Sequence, residues 1–392
     1  MNYNFDEIIP RYQTGCVKWD ESPSPDVIPL WVADMDFAVA PAIQEAVRQR
    51  AQHPIFGYTY VQEDYYAAVI SWFQRRHGWK IKREWMLYTT GVVSAMSCAI
   101  KALTMPGERV VILSPDYNCF FSSIRNNGCE VAESVFSDRR SECGVAMRRT
   151  DDNRFEVDWD DFETQCSDEK TTVFLLCNPH NPTGRVWSRE ELQRMADICH
   201  RHDVRIVSDE IHCELVMPGH TFCPMGTVDG DAIILNSPSK SFNIAGLQMA
   251  NIICRDAATR RRLDRAININ EVCDVNPFAP LAVMAAYNES EGWIDALNQY
   301  LWENYTLLRD FAAQHLPGWK VMPLEGTYLV WVDVSQCTGK VADYCDGLMR
   351  NAKVWLNPGT MYGPQSGEGY LRINIACPRS LLMEALNRIV KI

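Results

Sequence analysis

Between residues 90 and 255 the chain repeats one pattern, a short run rich in valine and isoleucine followed by an amphipathic stretch. The runs are RVVILS, TTVFLLC, VRIVSD, DAIILN and QMANIIC. Each is apolar without alternation, so both of its faces need covering, as in a parallel sheet buried on two sides. The stretch SREELQRMADICHRH carries Ser188 and Glu191 as an S-x-x-E capping box, which predicts a helix start. Strands alternating with helices imply an α/β domain whose ligands sit at the carboxyl ends of the strands. After residue 285 the pattern changes. The long helical stretch EGWIDALNQYLWENYTLLRDFAAQHL precedes strand-like TYLVWVDV, another helix and GYLRINIAC. The expected division is an N-terminal segment (1–45) joined to a small α+β domain (286–392), with a large domain between them (46–285).

The totals narrow the function. A formal net charge of −12 argues against nucleic acid as a partner, which requires a basic face. No apolar run approaches the roughly 18 residues that cross a bilayer, and the first residues lack a signal-peptide core. Fifteen cysteines in such a chain suit a reducing cytoplasm, with thiols as small core residues. There is no CxxC and no HExxH, so no metal is expected. His200 and His202 in CHRHD are read as the polar end of a helix with no partner cluster.

Four stretches at predicted strand ends carry chemistry. In TTGVVSAMSCAIKAL a glycine precedes a helix, whose free N–H groups and dipole suit an anion. In LLCNPHNPTGRVW the prolines explain a stiff turn, but not Asn181, whose amide offers a donor. In VRIVSDEIHCEL, Asp209 follows a buried strand directly and needs a cationic partner, and His212 follows three residues on. In NSPSKSFNIAGL, Lys240 lies between hydroxyls and small residues. Its S-x-x-K spacing suits a serine hydrolase only with SDN and KTG companions, which are absent. The other reading makes Lys240 a nucleophile that condenses with a carbonyl, its amine freed by desolvation. An anion cradle, an amide donor, a carboxylate and a lysine match pyridoxal 5'-phosphate group for group.

NPHNPTG, SDEIH and SPSKSFNIAGL in that order resemble the fold-type I pyridoxal-phosphate enzymes of the aminotransferase class I/II superfamily. VADMDFAVAP, FGYTY, SPDYNCFF and YLRINIACPR resemble the MalY/PatB-type carbon–sulfur lyases within it. The resemblance implies a large domain with a mostly parallel seven-stranded sheet. It implies that Lys240 bonds the cofactor aldehyde, Asp209 pairs with the ring nitrogen, Asn181 donates to the phenolic oxygen and Tyr117 stacks on the ring. It places the amides of Val92 and Val93, with Ser237 and Ser239, on the phosphate. It brings Tyr58 to the phosphate of a neighbouring subunit, hence a homodimer. It gives Arg372 and Ala33, with Asn181, to the substrate, Arg372 holding the α-carboxylate. His212 stands where aminotransferases usually have tyrosine, and Gln248 where many have an arginine on the phosphate. The expected reaction is β-elimination from a sulfur amino acid, such as cystathionine, cysteine or cystine. The rivals are an aminotransferase, and a lyase that also binds a transcription regulator.

Overall fold

The apolar runs form strands, and their alternate residues enter two separate cores. In the computed structural model, which describes residues 3–132, 145–269 and 274–392, Val173, Leu175 and Cys177 face one core while Phe174 and Leu176 face the other. That two-sided burial is why the runs show no polar alternation. Along the chain the large sheet is built from β1 (Met86–Thr89), β2 (Arg109–Val111), β3 (Glu130–Val131), β4 (Thr171–Cys177), β5 (Arg205–Asp209), β6 (Ile233–Asn236) and β7 (Ala250–Ile253). The seven strands lie in the order β1-β7-β6-β5-β4-β2-β3. Helix α1 (Val92–Leu103) joins the first core. A further helix, α2 (Asn118–Asn126), follows Tyr117, and α3 (Arg189–Arg201) covers the opposite face with Leu192, Met195 and Cys199. The Ser188/Glu191 capping box that starts α3 is fully formed.

Two runs depart from the expected pattern. QMANIIC makes β7, which is antiparallel to both β6 and β1. No crossover helix separates it from β6, only a loop with one short turn (Ala245–Leu247), so the chain returns alongside in the reverse direction. RVVILS divides: Arg109–Val111 stays in the large sheet, whereas Leu113–Ser114 pairs with Val145–Ala146 in a separate three-stranded sheet.

The second lobe has a long helix, α4 (Glu291–His315), against a four-stranded antiparallel sheet of β8 (Lys320–Val321), β9 (Leu329–Asp333), β10 (Asn357–Pro358) and β11 (Tyr370–Asn374). Ile28–Pro29 pairs in parallel with Val354–Trp355, and Leu30 accepts from the Asn374 amide, which ties the N-terminal segment to this lobe. The next residues, 31–37, form no regular element and run between the two lobes. Among the described residues no helix is long and apolar enough to cross a membrane.

Candidate active site

Register fixes the floor of the site. Cys177 at the end of β4 lies opposite Asp209 at the end of β5, and Asp209 lies opposite Leu235 of β6. The three strands therefore finish side by side, and the segments leaving them surround one cavity of ≈ 280 Å³. Ala33, Tyr117, Asn181, Asp209, His212 and Lys240 line it. Val92, Val93, Ser239 and Gln248 complete the wall. Larger clefts of ≈ 460 Å³ beside Glu214 and ≈ 560 Å³ beside Arg109 contain none of these residues.

One end of the cavity suits an anion. No side chain caps the start of α1, and its first intrahelical bond runs from the Ala95 amide to the Gly91 carbonyl. The N–H groups of Val92, Val93 and Ser94 precede that bond and have no acceptor within the helix. Gly91 holds φ +145, a conformation that side chains disfavour, and a Cβ there meets nothing within 4 Å, so the approach is open. Ser239 lines the cavity, but Ser237 does not. The Ser237 hydroxyl donates to the Met249 carbonyl at 2.6 Å and accepts from the Ser239 amide at 3.1 Å.

The other end is electrostatically unbalanced. Asp209 is buried and accepts from the Ile211 amide at 3.0 Å. Burial pushes its carboxyl up to about 7, although the Ile211 amide and the Lys240 charge pull it back. Lys240 donates to the Ala33 carbonyl at 2.6 Å. Burial lowers its ammonium below the ordinary lysine value, Asp34 and Asp209 oppose that, and Arg372 adds to it. His212 is held at about 3 by burial, with the charges of Lys240 and Arg372 acting the same way, so its ring is neutral. Its Nδ1 is buried without a hydrogen-bond partner. Glu210, beside Asp209 in sequence, turns away and accepts from the Met225 amide and the Ser208 hydroxyl.

Arg372 on β11 is buried and is not among the residues that line the cavity; it meets the lining through Asn181. It donates to Asn181 Oδ1 at 3.1 Å and to the Trp31 carbonyl at 2.7 Å, its Nε has no partner, and it lies 4.6 Å from the Tyr362 ring centroid. Tyr117 precedes α2, and burial raises its phenol. Tyr58 is far from inclusion in this single-chain cavity: it is 99% exposed, in a surface stretch with Ile55, Phe56 and Tyr60. The pairs outside the site are also informative. His200 does meet a cluster, lying 3.1 Å from Asp229 with Asp231 close by, while His202 pairs with Glu163 at 3.1 Å.

The donor set fits pyridoxal phosphate. Asp209 is a buried carboxylate that its surroundings leave undercompensated, the α1 N-terminus is uncapped, and an amine faces both. Sequence reasoning missed Tyr328 and Asn243, which brace residues 31–37 around the Lys240 contact. Tyr328 donates to the Ala33 carbonyl at 2.9 Å, and Asn243 donates to the Met35 and Phe37 carbonyls. Backbone acceptors leave no trace in composition or periodicity, so no sequence signal identifies these two.

Comparison with known proteins agrees with this arrangement. The family model for aminotransferase class I and II matches residues 25–389. The chain is 38% identical to cystathionine beta-lyase PatB of Bacillus subtilis, covering 98% of each sequence. It is 34% identical to protein MalY of Escherichia coli, covering 97% of this chain and 96% of that one. Among solved structures, cystalysin of Treponema denticola, which contains pyridoxal 5'-phosphate, superposes with a TM-score of 0.93 at 32% identity, over 100% of this chain and 98% of that one.

Proposed function

This chain belongs to the aminotransferase class I and II family, and we propose that it is a pyridoxal-phosphate-dependent carbon–sulfur lyase. Its reaction is β-elimination of a thiol from a sulfur amino acid. The observation that carries the reading is the single cavity shared by Lys240, Asp209 and the uncapped start of α1. The relatives named as cystathionine beta-lyases supply the reaction class. With cystathionine and water, the products are homocysteine, pyruvate and ammonia.

Each side chain has a distinct task. When bound, pyridoxal phosphate supplies an electron sink for the carbanion left at the substrate α-carbon. Asp209 gives the protonated ring nitrogen a charged partner, which relieves the burial that otherwise raises its carboxyl. Lys240 would hold the cofactor through its aldehyde, and its free amine would take the substrate α-proton on Nζ as general base. Tyr117 covers the ring, and Asn181, with the neutral His212 beside it, serves the phenolic oxygen. The amides of Val92 and Val93 and the hydroxyl of Ser239 hold the phosphate. Ser237 orients that segment through its bonds to Met249 and Ser239. Arg372 takes the substrate α-carboxylate with its free Nε and a fork already aligned by Asn181 and Trp31. Ala33 borders the substrate.

A homodimer is part of this reading, with Tyr58 of each chain completing the phosphate site of the other. The exposed Ile55, Phe56, Tyr58 and Tyr60 form the apolar stretch that such a partner would cover. The domain boundaries at residues 45 and 285 belong to the proposal too. So does a cytoplasmic location, which agrees with the free thiols of all described cysteines.

Incubation with cystathionine and no keto acid tests the function. Stoichiometric pyruvate is expected from the wild-type protein and none from Lys240→Ala. Consumption of cystathionine only when a keto acid is supplied, with amination of that keto acid and no pyruvate released, would replace the lyase with an aminotransferase.

A further inference from the structure

Residues 31–37, WVADMDF, lie in no strand ladder; the Asp36 amide donates to the Ala376 carbonyl, and side chains serve many of the other backbone groups. The small lobe contributes Asn374, which donates to the Val32 and Asp34 carbonyls at 2.6 Å each, and Tyr328, on the Ala33 carbonyl. The large lobe contributes two groups from one loop, Lys240 on the Ala33 carbonyl at 2.6 Å and Asn243 further along. Asn243 makes three bonds at once. Its Oδ1 accepts from the Met35 amide at 3.1 Å, and its Nδ2 donates to the Met35 and Phe37 carbonyls at 3.0 and 2.9 Å. Two residues separate Lys240 from Asn243, and the Ile244 amide closes the loop around them on the Ser239 carbonyl at 3.0 Å. Two residues of this loop therefore grip the 31–37 segment at three, Ala33, Met35 and Phe37. Asn243 also holds φ +56, a left-handed conformation that asparagine tolerates better than most residues.

We propose that Asn243 is a positioning residue for Lys240, holding the Ala33 carbonyl where it receives and aims the lysine amine whenever that amine is not bonded to the cofactor. The proposal rests on Lys240 being the cofactor-bearing base. As a free amine, Lys240 Nζ would have to stay near the substrate α-carbon to take its proton. A fixed carbonyl at hydrogen-bond distance limits its rotation, and general-base catalysis depends steeply on such placement. The carbonyl also accepts from the ammonium that proton transfer produces. Ala33 lies two residues from Met35, so the grip of Asn243, shared with Arg11 at the Met35 carbonyl, acts on it through the backbone.

Asn243→Gly tests this, because glycine adopts positive φ freely and the substitution removes the clamp without backbone strain. The variant should keep the wild-type KM for cystathionine while kcat falls about 10-fold to 100-fold, the scale of a misplacement near 1 Å. In cofactor-free protein, amine-selective labelling read at the Lys240 peptide should show its pH midpoint shifted downward, since the ammonium loses a fixed acceptor. Asn243→Asp is the second variant, of matching size but without the two donors; it should show the same kcat loss if the glycine variant does not fold. Wild-type kcat together with a wild-type labelling midpoint in either folded variant overturns the proposal. Pyruvate formation by Lys240→Ala would instead overturn the underlying assignment of the base, a result independent of both Asn243 variants.

Discussion

Arg372 Nη1 lies 3.1 Å from Asn181 Oδ1, so a guanidinium from the small lobe is held by an amide from the large one. The same guanidinium donates to Trp31 between the lobes. This brace orients the fork and keeps Nε unpaired. A lysine offers one ammonium and no fork, so Arg372→Lys should bind the substrate carboxylate with fewer aligned donors. Loss of one or two charge-assisted hydrogen bonds, about 3 kcal/mol, predicts a fall of roughly 10²-fold in kcat/KM, mostly through KM. Steady-state kinetics with cystathionine decides it. A change confined to kcat would assign Arg372 to the brace alone.

Asp209 predicts a pH dependence of stability in the cofactor-free protein. Its folded value of about 7 lies above the ordinary carboxylate value of about 4. Between those two values the folded chain keeps a proton that the unfolded chain has released, so this group lowers stability as pH rises and reaches its full penalty above about 7. Asp209→Asn cannot ionise. Its stability relative to wild type should rise from about pH 4 to about pH 7 and then level off, by about 1.4 kcal/mol per pH unit at most. Comparing the two proteins cancels His180 and His212, both held at about 3 by burial, whose effect has the opposite sign below the ordinary histidine value. Urea unfolding across that range supplies the measurement. A difference that does not vary with pH would remove the strained carboxyl.

Much of this site is legible in the sequence because its parts obey local rules. A residue that directly follows a continuous apolar run sits at a strand end, which locates Asp209, and an S-x-x-E pair before an amphipathic stretch locates α3. What sequence cannot show is direction and satisfaction. QMANIIC looks like its neighbours yet runs antiparallel, because strand direction depends on the connection and not on composition. Ser237 carries the same hydroxyl as Ser239, but a nearby Met249 carbonyl claims it. His200 gains Asp229 and Asp231 from residues about 30 positions away, beyond any local pattern. The bracing of the 31–37 segment by Tyr328 and Asn243 is the largest omission, since these partners bind carbonyl oxygens that every residue possesses.

Lys18 shows what the N-terminal segment contributes to that arrangement. It is fully buried, with Nζ 2.7 Å from Asp36 Oδ2 and 3.2 Å from the Asp34 carbonyl. Asp36 is also buried and retains Arg11 at 2.6 Å and Trp19 at 2.8 Å. Lys18→Met leaves that carboxylate partly uncompensated, and about 3 kcal/mol of destabilisation is expected. Adding Asp36→Leu to the same protein should restore a large share, because the stranded charge is then gone. Denaturant midpoints of the two single variants and the double variant complete the cycle. Additive effects would mean that the pair is not energetically coupled.

Tyr58 tests the shared site without any interface structure. If each Tyr58 serves its partner's phosphate site, mixing two inactive proteins should restore activity. In a hybrid of a Lys240→Ala chain with a Tyr58→Ala chain, the intact Lys240 lies in the chain lacking Tyr58, and the intact Tyr58 comes from the other. One complete site then exists per hybrid dimer. Random reassortment makes about half of the dimers hybrids, so about a quarter of wild-type activity should return at low cofactor concentration. A Tyr58 that serves its own chain restores nothing, since no site would then hold both residues. Activity of the remixed proteins against each parent alone separates the two arrangements.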